Sequence, residues 1–241
     1  MRPDIAEQLI ELNSKFYSEL AQPFAQTRTR PQPGFEQLLT YLPQHPRHVL
    51  DIGCGEGRFG RFLLERFPDL EYTGVDFSAS LLEQAAAAIP GRFVERDLTR
   101  DGALDGLPQA DVVACLAVLQ HIPGRERRVR LLREMGRHVT AEGRLFLSTW
   151  QFMDSPRQQR KVVEWSEISL GPEDVGEEDY LLTWKSGGFG LRYVAYLDRD
   201  AIEALAGEAG LRVVDTFRSD GQEGDLNLYA VLGHPGPLGA S

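Results

Sequence analysis

Between His48 and Phe59 the chain reads His-Val-Leu-Asp-Ile-Gly-Cys-Gly-Glu-Gly-Arg-Phe. The β-favouring Val49 and Leu50 lead to an acid, Asp51, and then to Gly53, Gly55 and Gly57 at every second position. Phe59, Phe62, Leu63 and Phe67 follow at helical spacing. Strand, tight glycine turn and helix, in that order, form the opening unit of a nucleotide-binding α/β fold. Glycines in such a turn let the backbone approach a ligand with no side chain in between.

The same stretch also fits the dinucleotide fingerprint, as Gly55-x-Gly57-x-x-Gly60. Asp51 helps to separate the readings. A carboxylate beside the loop repels a pyrophosphate but suits a ligand carrying an ammonium and a sulfonium, such as S-adenosylmethionine (SAM). A second strand, Glu71 to Asp76, ends in an acid about 20 residues beyond the glycines, where a carboxylate accepts the ribose hydroxyls of an adenosine. Asp76 fits NAD as well as SAM, and Asp76 or Ser78 can instead simply cap the next helix, Ser80 to Ile89. A third short strand, Arg92 to Glu95, leads to Asp97-Leu98. There an acid can take the adenine amino group and the next N–H the ring, or Asp97 is an ordinary loop residue.

Four segments in order carry a family resemblance: Asp51-Ile-Gly-Cys-Gly-Glu-Gly57, Gly74-Val-Asp76-Phe-Ser78, Asp97-Leu98, and Asp111 to Leu119. Together they resemble the motif set of class I SAM-dependent methyltransferases, in detail over residues 45–150. The resemblance implies SAM as cofactor, with Asp51, Gly53, Cys54, Gly55, Gly57, Asp76, Phe77, Asp97, Leu98 and Leu116 as its contacts. It also implies a Rossmann-like, doubly wound α/β fold: a mostly parallel seven-stranded sheet with a terminal antiparallel hairpin.

The rest of the chain fits that frame. Ile5, Leu9, Leu12, Phe16 and Leu20 predict an amphipathic helix over residues 5–21, and a second helix is expected around Phe35–Leu42. Residues 1–44 read as a helical cap and 45–232 as the methyltransferase domain. Val112 to Leu119 is almost wholly apolar, as a central strand covered on both faces should be. Arg144 to Trp150 is the fifth strand. Residues 153–192, charged and rich in Gly and Pro, leave from the ligand edge of the sheet and are expected to form an inserted lid. A helix capped by Asp200 and ended by Gly210 leads to strands Arg212–Arg218 and Leu226–Leu232, and the tail 233–241 reads as disordered.

Of the 241 residues 42% are hydrophobic, enough for a packed core, and no apolar run approaches the roughly 18 residues that span a bilayer. Met1-Arg-Pro-Asp is no signal peptide, so a cytoplasmic enzyme is expected, without a membrane partner. Cys54 and Cys115 form no disulfide framework or zinc site and read as small apolar fillers. The net charge of −10 argues against a broadly nucleic-acid-coated surface. Arg125, Arg127, Arg128, Arg130, Arg133 and Arg137 nevertheless cluster, as a solvated helix face or a binding patch.

Four further segments bear on the acceptor: Phe16-Tyr17 through Thr27-Arg28 to Pro33, Gln120-His121 with Glu126-Arg127-Arg128, Trp150-Gln151, and Asp179 to Trp184-Lys185 with Arg192-Tyr193 and Asp225-x-Asn227-x-Tyr229. Together they are similar to the eukaryotic-type tRNA methyltransferases that esterify 5-carboxymethyluridine at the wobble position of the anticodon. The chain departs where that family has two adjacent histidines (Gln120-His121 here), Trp-Pro (Gln32-Pro33 here) and an aromatic after the asparagine (Leu228 here). The resemblance nominates Arg28 and Arg192 to hold a carboxylate, with His121 to orient it, and often brings a small activating protein partner. A carboxylate is already ionised at neutral pH, so its methylation needs alignment and water exclusion rather than a base. A small-molecule carboxylic acid or another metabolite is the alternative acceptor, and a SAM-binding protein without turnover comes after both.

Overall fold

The structure is a computed structural model and describes residues 1–26, 32–185 and 188–235. Helices α1 (Pro3–Gln26) and α2 (Pro33–Leu38) precede β1 (His48–Ile52). Then come α3 (Arg58–Leu64), β2 (Glu71–Asp76), α4 (Ala79–Ala88), β3 (Arg92–Glu95), β4 (Ala110–Leu116), α5 (Arg125–His138) and β5 (Val139–Trp150). Residues beyond β5 form α6 (Pro156–Gln159), β6 (Val162–Val163), β7 (Asp179–Trp184) and β8 (Gly190–Ala195). The chain closes with α7 (Arg199–Glu208), β9 (Arg212–Ser219) and β10 (Asn227–Gly233).

Seven strands form one sheet in the order β3-β2-β1-β4-β5-β10-β9. β10 runs antiparallel to both of its neighbours, and the pairs from β3 to β5 are parallel. This is the doubly wound sheet with a terminal antiparallel hairpin that the motif order implied. Strand order reverses between β1 and β4, and in open α/β sheets the crevice beyond the strand ends at that point is where ligands bind. β4 is the central strand. Val113 and Cys115 join one apolar layer, with Leu131 and Met135 of α5 and Leu205 of α7. Val112 and Ala114 join the other, with Phe35 of α2 and Phe59 and Phe62 of α3. That two-sided burial is why β4 reads as a continuous apolar run rather than an alternating one.

The strand stops at Leu116, three residues before the expected Leu119. Ala117 takes a φ of 59°, a left-handed conformation, and sends its N–H to the Ser148 carbonyl. Leu119, Gln120 and His121 then form one 3₁₀ turn above the sheet edge. The helix α7 is capped by Asp198, not Asp200. Asp198 has the extended backbone a cap requires and accepts the Ala201 N–H at 2.9 Å, whereas Asp200 lies in the first turn. Phe67 falls beyond the end of α3 but packs against the same apolar layer.

The inserted segment carries regular structure that its composition hid. β6, β7 and β8 form an antiparallel sheet of their own, and β8 extends past residue 192 to Ala195. Arg128 of α5 ties this sheet to the domain. Its side chain is buried, donates to Glu178 at 2.7 Å and to the Tyr193 hydroxyl at 3.1 Å, and lies 3.7 Å from Asp179. Helix α1 docks on the edge of β8 through Asn13. The Asn13 amide donates to the Tyr193 carbonyl at 3.1 Å and accepts the Tyr193 N–H at 2.8 Å, as a neighbouring strand would. Three more arginines of the cluster make ion pairs within the chain: Arg125 with Glu208, Arg127 with Glu7, and Arg130 with Asp101. Among the described residues no helix is long and apolar enough to cross a membrane.

Candidate active site

Beyond the ends of β1, β2 and β4, a cavity of about 600 Å³ opens. Its wall brings together Asp51, Gly53, Cys54, Gly55, Asp76, Phe77, Asp97, Leu98, Leu116 and His121, all singled out from the sequence. The loop conformation depends on glycine. Gly53 has φ 73° and its backbone lies hard against the Val118 side chain, so a Cβ there would overlap it. Gly55 has φ 54°, and a Cβ built on it meets nothing within 4 Å. Gly55 therefore presents bare backbone to the cavity, the cradle a ligand needs. Gly57 is not on the cavity wall. With φ 77° it starts α3 and packs under Ala85 of α4 and Ile89 just past its end.

The acids have distinct settings. Asp76 is buried, and its carboxylate accepts the Gly55 N–H at 2.9 Å and the Ser78 N–H at 3.0 Å. It holds the glycine loop in place and keeps lone pairs for further donors. Burial raises its pKa against those backbone bonds. Asp51 is buried too and accepts the Tyr72 hydroxyl at 2.7 Å. Burial pushes Asp51 up to about 7, against the pull of Tyr72 and with the repulsion of Asp76 and Glu56. Asp97 is exposed. Burial acts to raise it, but hydrogen bonds from Thr99 and Arg100 prevail and hold it below the usual carboxylate range. Five carboxylates (Asp51, Glu56, Asp76, Glu95, Asp97) face two arginines (Arg58, Arg96) on the wall, a balance that favours a cationic ligand. Burial pushes the Cys54 thiol up and Cys115 up to about 12, so both are protonated fillers rather than nucleophiles.

Sequence periodicity missed one wall. Ile10, Asn13, Ser14 and Tyr17 line the cavity from α1 at positions i, i+3, i+4 and i+7. The sequence pattern shows the apolar stripe of that helix, and this second stripe, polar but for Ile10, runs beside it with the same period.

A second cluster adjoins the cavity across Tyr17 and His121. The Tyr17 hydroxyl lies 2.9 Å from His121 Nε2, and His121 Nδ1 lies 3.2 Å from the Tyr193 carbonyl. A carbonyl only accepts, so Nδ1 carries a proton, and Nε2 shares the second hydrogen bond with the Tyr17 hydroxyl. His121 also stands edge-on to Trp150 at 5.3 Å. Arg192 is buried beyond it. Its guanidinium lies 4.3 Å from the Trp150 ring, 5.2 Å from Phe16 and 5.5 Å from Trp184. Burial lowers its pKa, and the neighbouring Tyr17 hydroxyl acts the other way. Arg192 thus faces aromatic rings, while the acidic insertion pairs with Arg128. Arg28 lies outside the described residues.

Asn227 and Tyr229 serve a different hub. Buried Asp220, with φ 69°, accepts from Gln32, the Gly34 N–H, Asn227 and Tyr229 at 2.6–3.0 Å. Gln32 in turn accepts from Arg58 on the cavity wall at 2.9 Å. The Gln-Pro step therefore locks the entry to α2 onto the β9–β10 hairpin.

The pocket fits SAM: bare backbone at Gly55, a buried carboxylate at Asp76 and an excess of negative charge. Comparison with known proteins agrees. A family profile described as Methyltransferase domain matches residues 50–145. A protein of Encephalitozoon cuniculi that carries the name methyltransferase is 30% identical over 218 residues, 90% of this chain and 93% of that one. A trans-aconitate 2-methyltransferase of Rhodopseudomonas palustris is 38% identical over 111 residues, and the match spans only 41% of its length. The tRNA (carboxymethyluridine(34)-5-O)-methyltransferase of Saccharomyces cerevisiae is 32% identical over 183 residues, 74% of this chain and 58% of that enzyme. In fold, an S-adenosylmethionine-dependent methyltransferase from Clostridium acetobutylicum superposes with a TM-score of 0.63 at 12% identity, covering 92% of this chain and 99% of that one. By the sequence it shares along nearly its whole length with such a relative, and by the fold built around the glycine loop, the chain belongs to the class I SAM-dependent methyltransferases.

Proposed function

We propose that this enzyme methylates a carboxylate oxygen, and that the acceptor is 5-carboxymethyluridine in the anticodon of tRNA. The carrying observation is Arg192, a buried guanidinium walled by Trp150, Phe16 and Trp184 and joined through Tyr17 and His121 to the cofactor cavity. Aromatic walls suit a flat nucleobase, and a planar guanidinium suits a carboxylate. The relative named for carboxymethyluridine supports the same reading.

In this reading the Gly53–Gly55 backbone and Asp51 take the amino-acid end of SAM, and Asp76 accepts the ribose hydroxyls. Phe77, Leu98 and Leu116 flank the adenine, with Asp97 at its amino group. The bound cofactor supplies an electrophilic methyl group on its sulfonium. Arg192, with Arg28, fixes the acceptor carboxylate, and the His121 ring beside it helps to orient it. No proton has to leave the acceptor, because its carboxylate is already ionised. Helix α1 and the inserted sheet cover the reaction from water, and the enzyme works in the cytoplasm with its tRNA.

A small carboxylic acid is the second reading. The internally paired arginines of α5 and the trans-aconitate enzymes among the relatives favour it. Incubation with methyl-labelled SAM and either tRNA or a pool of small acids separates the two. Label in tRNA at the wobble uridine supports the proposal, and label confined to the acids overturns it.

A further inference from the structure

Outside the arginines, three buried side-chain polar atoms have no hydrogen-bond partner among the described residues: Gln120 Nε2, Ser148 Oγ and Asn227 Oδ1. Buried polar groups are nearly always paired, with protein, water or ligand, so each calls for a partner. The orientation of both amides is fixed by their other ends. Gln120 Oε1 accepts the Trp150 N–H at 3.3 Å, so its NH₂ is the open group. Asn227 Nδ2 donates to the Asp220 carboxylate at 2.7 Å, so its carbonyl is the open group. Neither amide can flip without breaking that bond.

Strand register gathers them. β10 sets Asn227 opposite Trp150 and Tyr229 opposite Ser148, so Asn227, Trp150 and Ser148 share one face and Ser148 lies diagonal to Asn227. Gln120, in the turn after β4, holds the Trp150 backbone. All three therefore adjoin Trp150, the residue against Arg192.

The set comprises a donor, an acceptor and a hydroxyl able to serve as either. A polycarboxylate offers acceptors only. It satisfies Gln120 but sets anionic oxygens against the Asn227 carbonyl. An imide edge, a C=O beside an N–H, satisfies both, and uracil carries that edge. We infer that Gln120, Asn227 and Ser148 read the imide edge of the acceptor's uracil ring. They are then specificity-determining residues for the reaction, an inference that rests on the carboxymethyluridine reading.

The test uses the full chain and two anticodon stem-loop RNAs. One bears 5-carboxymethyluridine. The other bears the matching 5-carboxymethyl-pyrimidin-2-one nucleoside, which keeps the carboxymethyl group but lacks the 4-oxygen and the N3 proton. A site built around hydrogen bonds rejects an analogue that cannot make them, so the wild type should favour the first RNA in kcat/KM by at least about fifty-fold. Gln120→Glu keeps the acceptor for Trp150 and removes the donor. Gln120→Met removes both without charge, and Ser148→Ala removes only the hydroxyl. Each should bring the ratio below about tenfold, with affinity for S-adenosylhomocysteine unchanged. A wild type that treats the RNAs alike overturns the inference. So do folded Gln120→Met and Ser148→Ala variants that keep the wild-type ratio, since the open atoms then hold only water. Failure to methylate either RNA, with a small acid accepted instead, overturns the carboxymethyluridine reading itself.

Discussion

The Tyr17 hydroxyl and His121 Nε2 meet at 2.9 Å, across the boundary between the cofactor cavity and the Arg192 cluster. One bond therefore links helix α1, the turn after β4 and, through His121 Nδ1 and the Tyr193 carbonyl, strand β8. Cofactor site, acceptor cluster and inserted sheet share this joint.

Arg192 is expected to act through its planar fork as well as its charge. Arg192→Lys keeps the charge but loses the fork and the stacking on Trp150. kcat/KM for the acceptor should fall at least about tenfold, roughly 1.4 kcal/mol of transition-state stabilisation, with SAM affinity nearly constant. Steady-state kinetics beside calorimetric titration with SAM check this. Equal kcat/KM in the two proteins would remove Arg192 from acceptor binding.

Asp51 should make SAM binding pH-dependent. Its folded-state pKa of about 7 lies above the ordinary carboxylate value, so the free protein holds a proton there that the unfolded chain has lost. This group therefore favours folding at low pH, and the contribution is lost as pH rises through 7. Cationic SAM prefers the ionised form, so its affinity should rise with pH up to about 7 and then level off, with proton uptake by buffer on binding below that point. Calorimetry in buffers of different ionisation enthalpy reads the proton, and Asp51→Asn should abolish the dependence.

Asp76 serves the loop and, on this account, the ribose. Asp76→Ala leaves the Gly55 and Ser78 N–H groups unpaired as well as the sugar. Its SAM affinity should fall by about 1–3 kcal/mol, roughly five- to 150-fold. Wild-type affinity in a folded Asp76→Ala protein would show the cofactor map to be wrong.

How much of this was legible in the sequence follows from the range of each interaction. The glycine loop, Asp51, Asp76 and the order of strands depend on local spacing, and they stand where the motifs put them. Gly57 has the same spacing but faces α4, because alternation in a turn does not say which side of the backbone meets the ligand. The inserted sheet was hidden, since its stability comes from contacts with residues far away in sequence: Arg128 with Glu178, and Asn13 with Tyr193. That Asn227 and Tyr229 both donate to Asp220 was hidden as well, because only the hairpin brings that partner near. The cap at Asp198 was displaced by two residues because two aspartates flank the helix start, and only backbone angles choose between them.

Asp220 should matter for stability more than for chemistry. Asp220→Ala strands four donors, three of them buried, and leaves a left-handed alanine. A loss of about 3 kcal/mol is expected, a fall in Tm of roughly 6–12 °C. Thermal unfolding with and without S-adenosylhomocysteine checks it, and an unchanged Tm would contradict the hub.

Residues 1–26 and the sheet of β6, β7 and β8 should behave as one cover. Amide exchange in α1 and β8 is expected to slow together when S-adenosylhomocysteine is added, because Asn13 and Tyr17 join them at the cavity wall. Slowing in α1 alone, or in neither, would separate the insertion from the site.

The most direct measurement is the chemical nature of the transferred methyl. Product labelled from methyl-tritiated SAM is treated with mild alkali and the volatile radioactivity is collected. Methyl transfer to a carboxylate oxygen gives an ester, and its label should leave as methanol. Label that stays on the product through alkali would mark an N-methyl, C-methyl or ether linkage and would contradict carboxylate methylation.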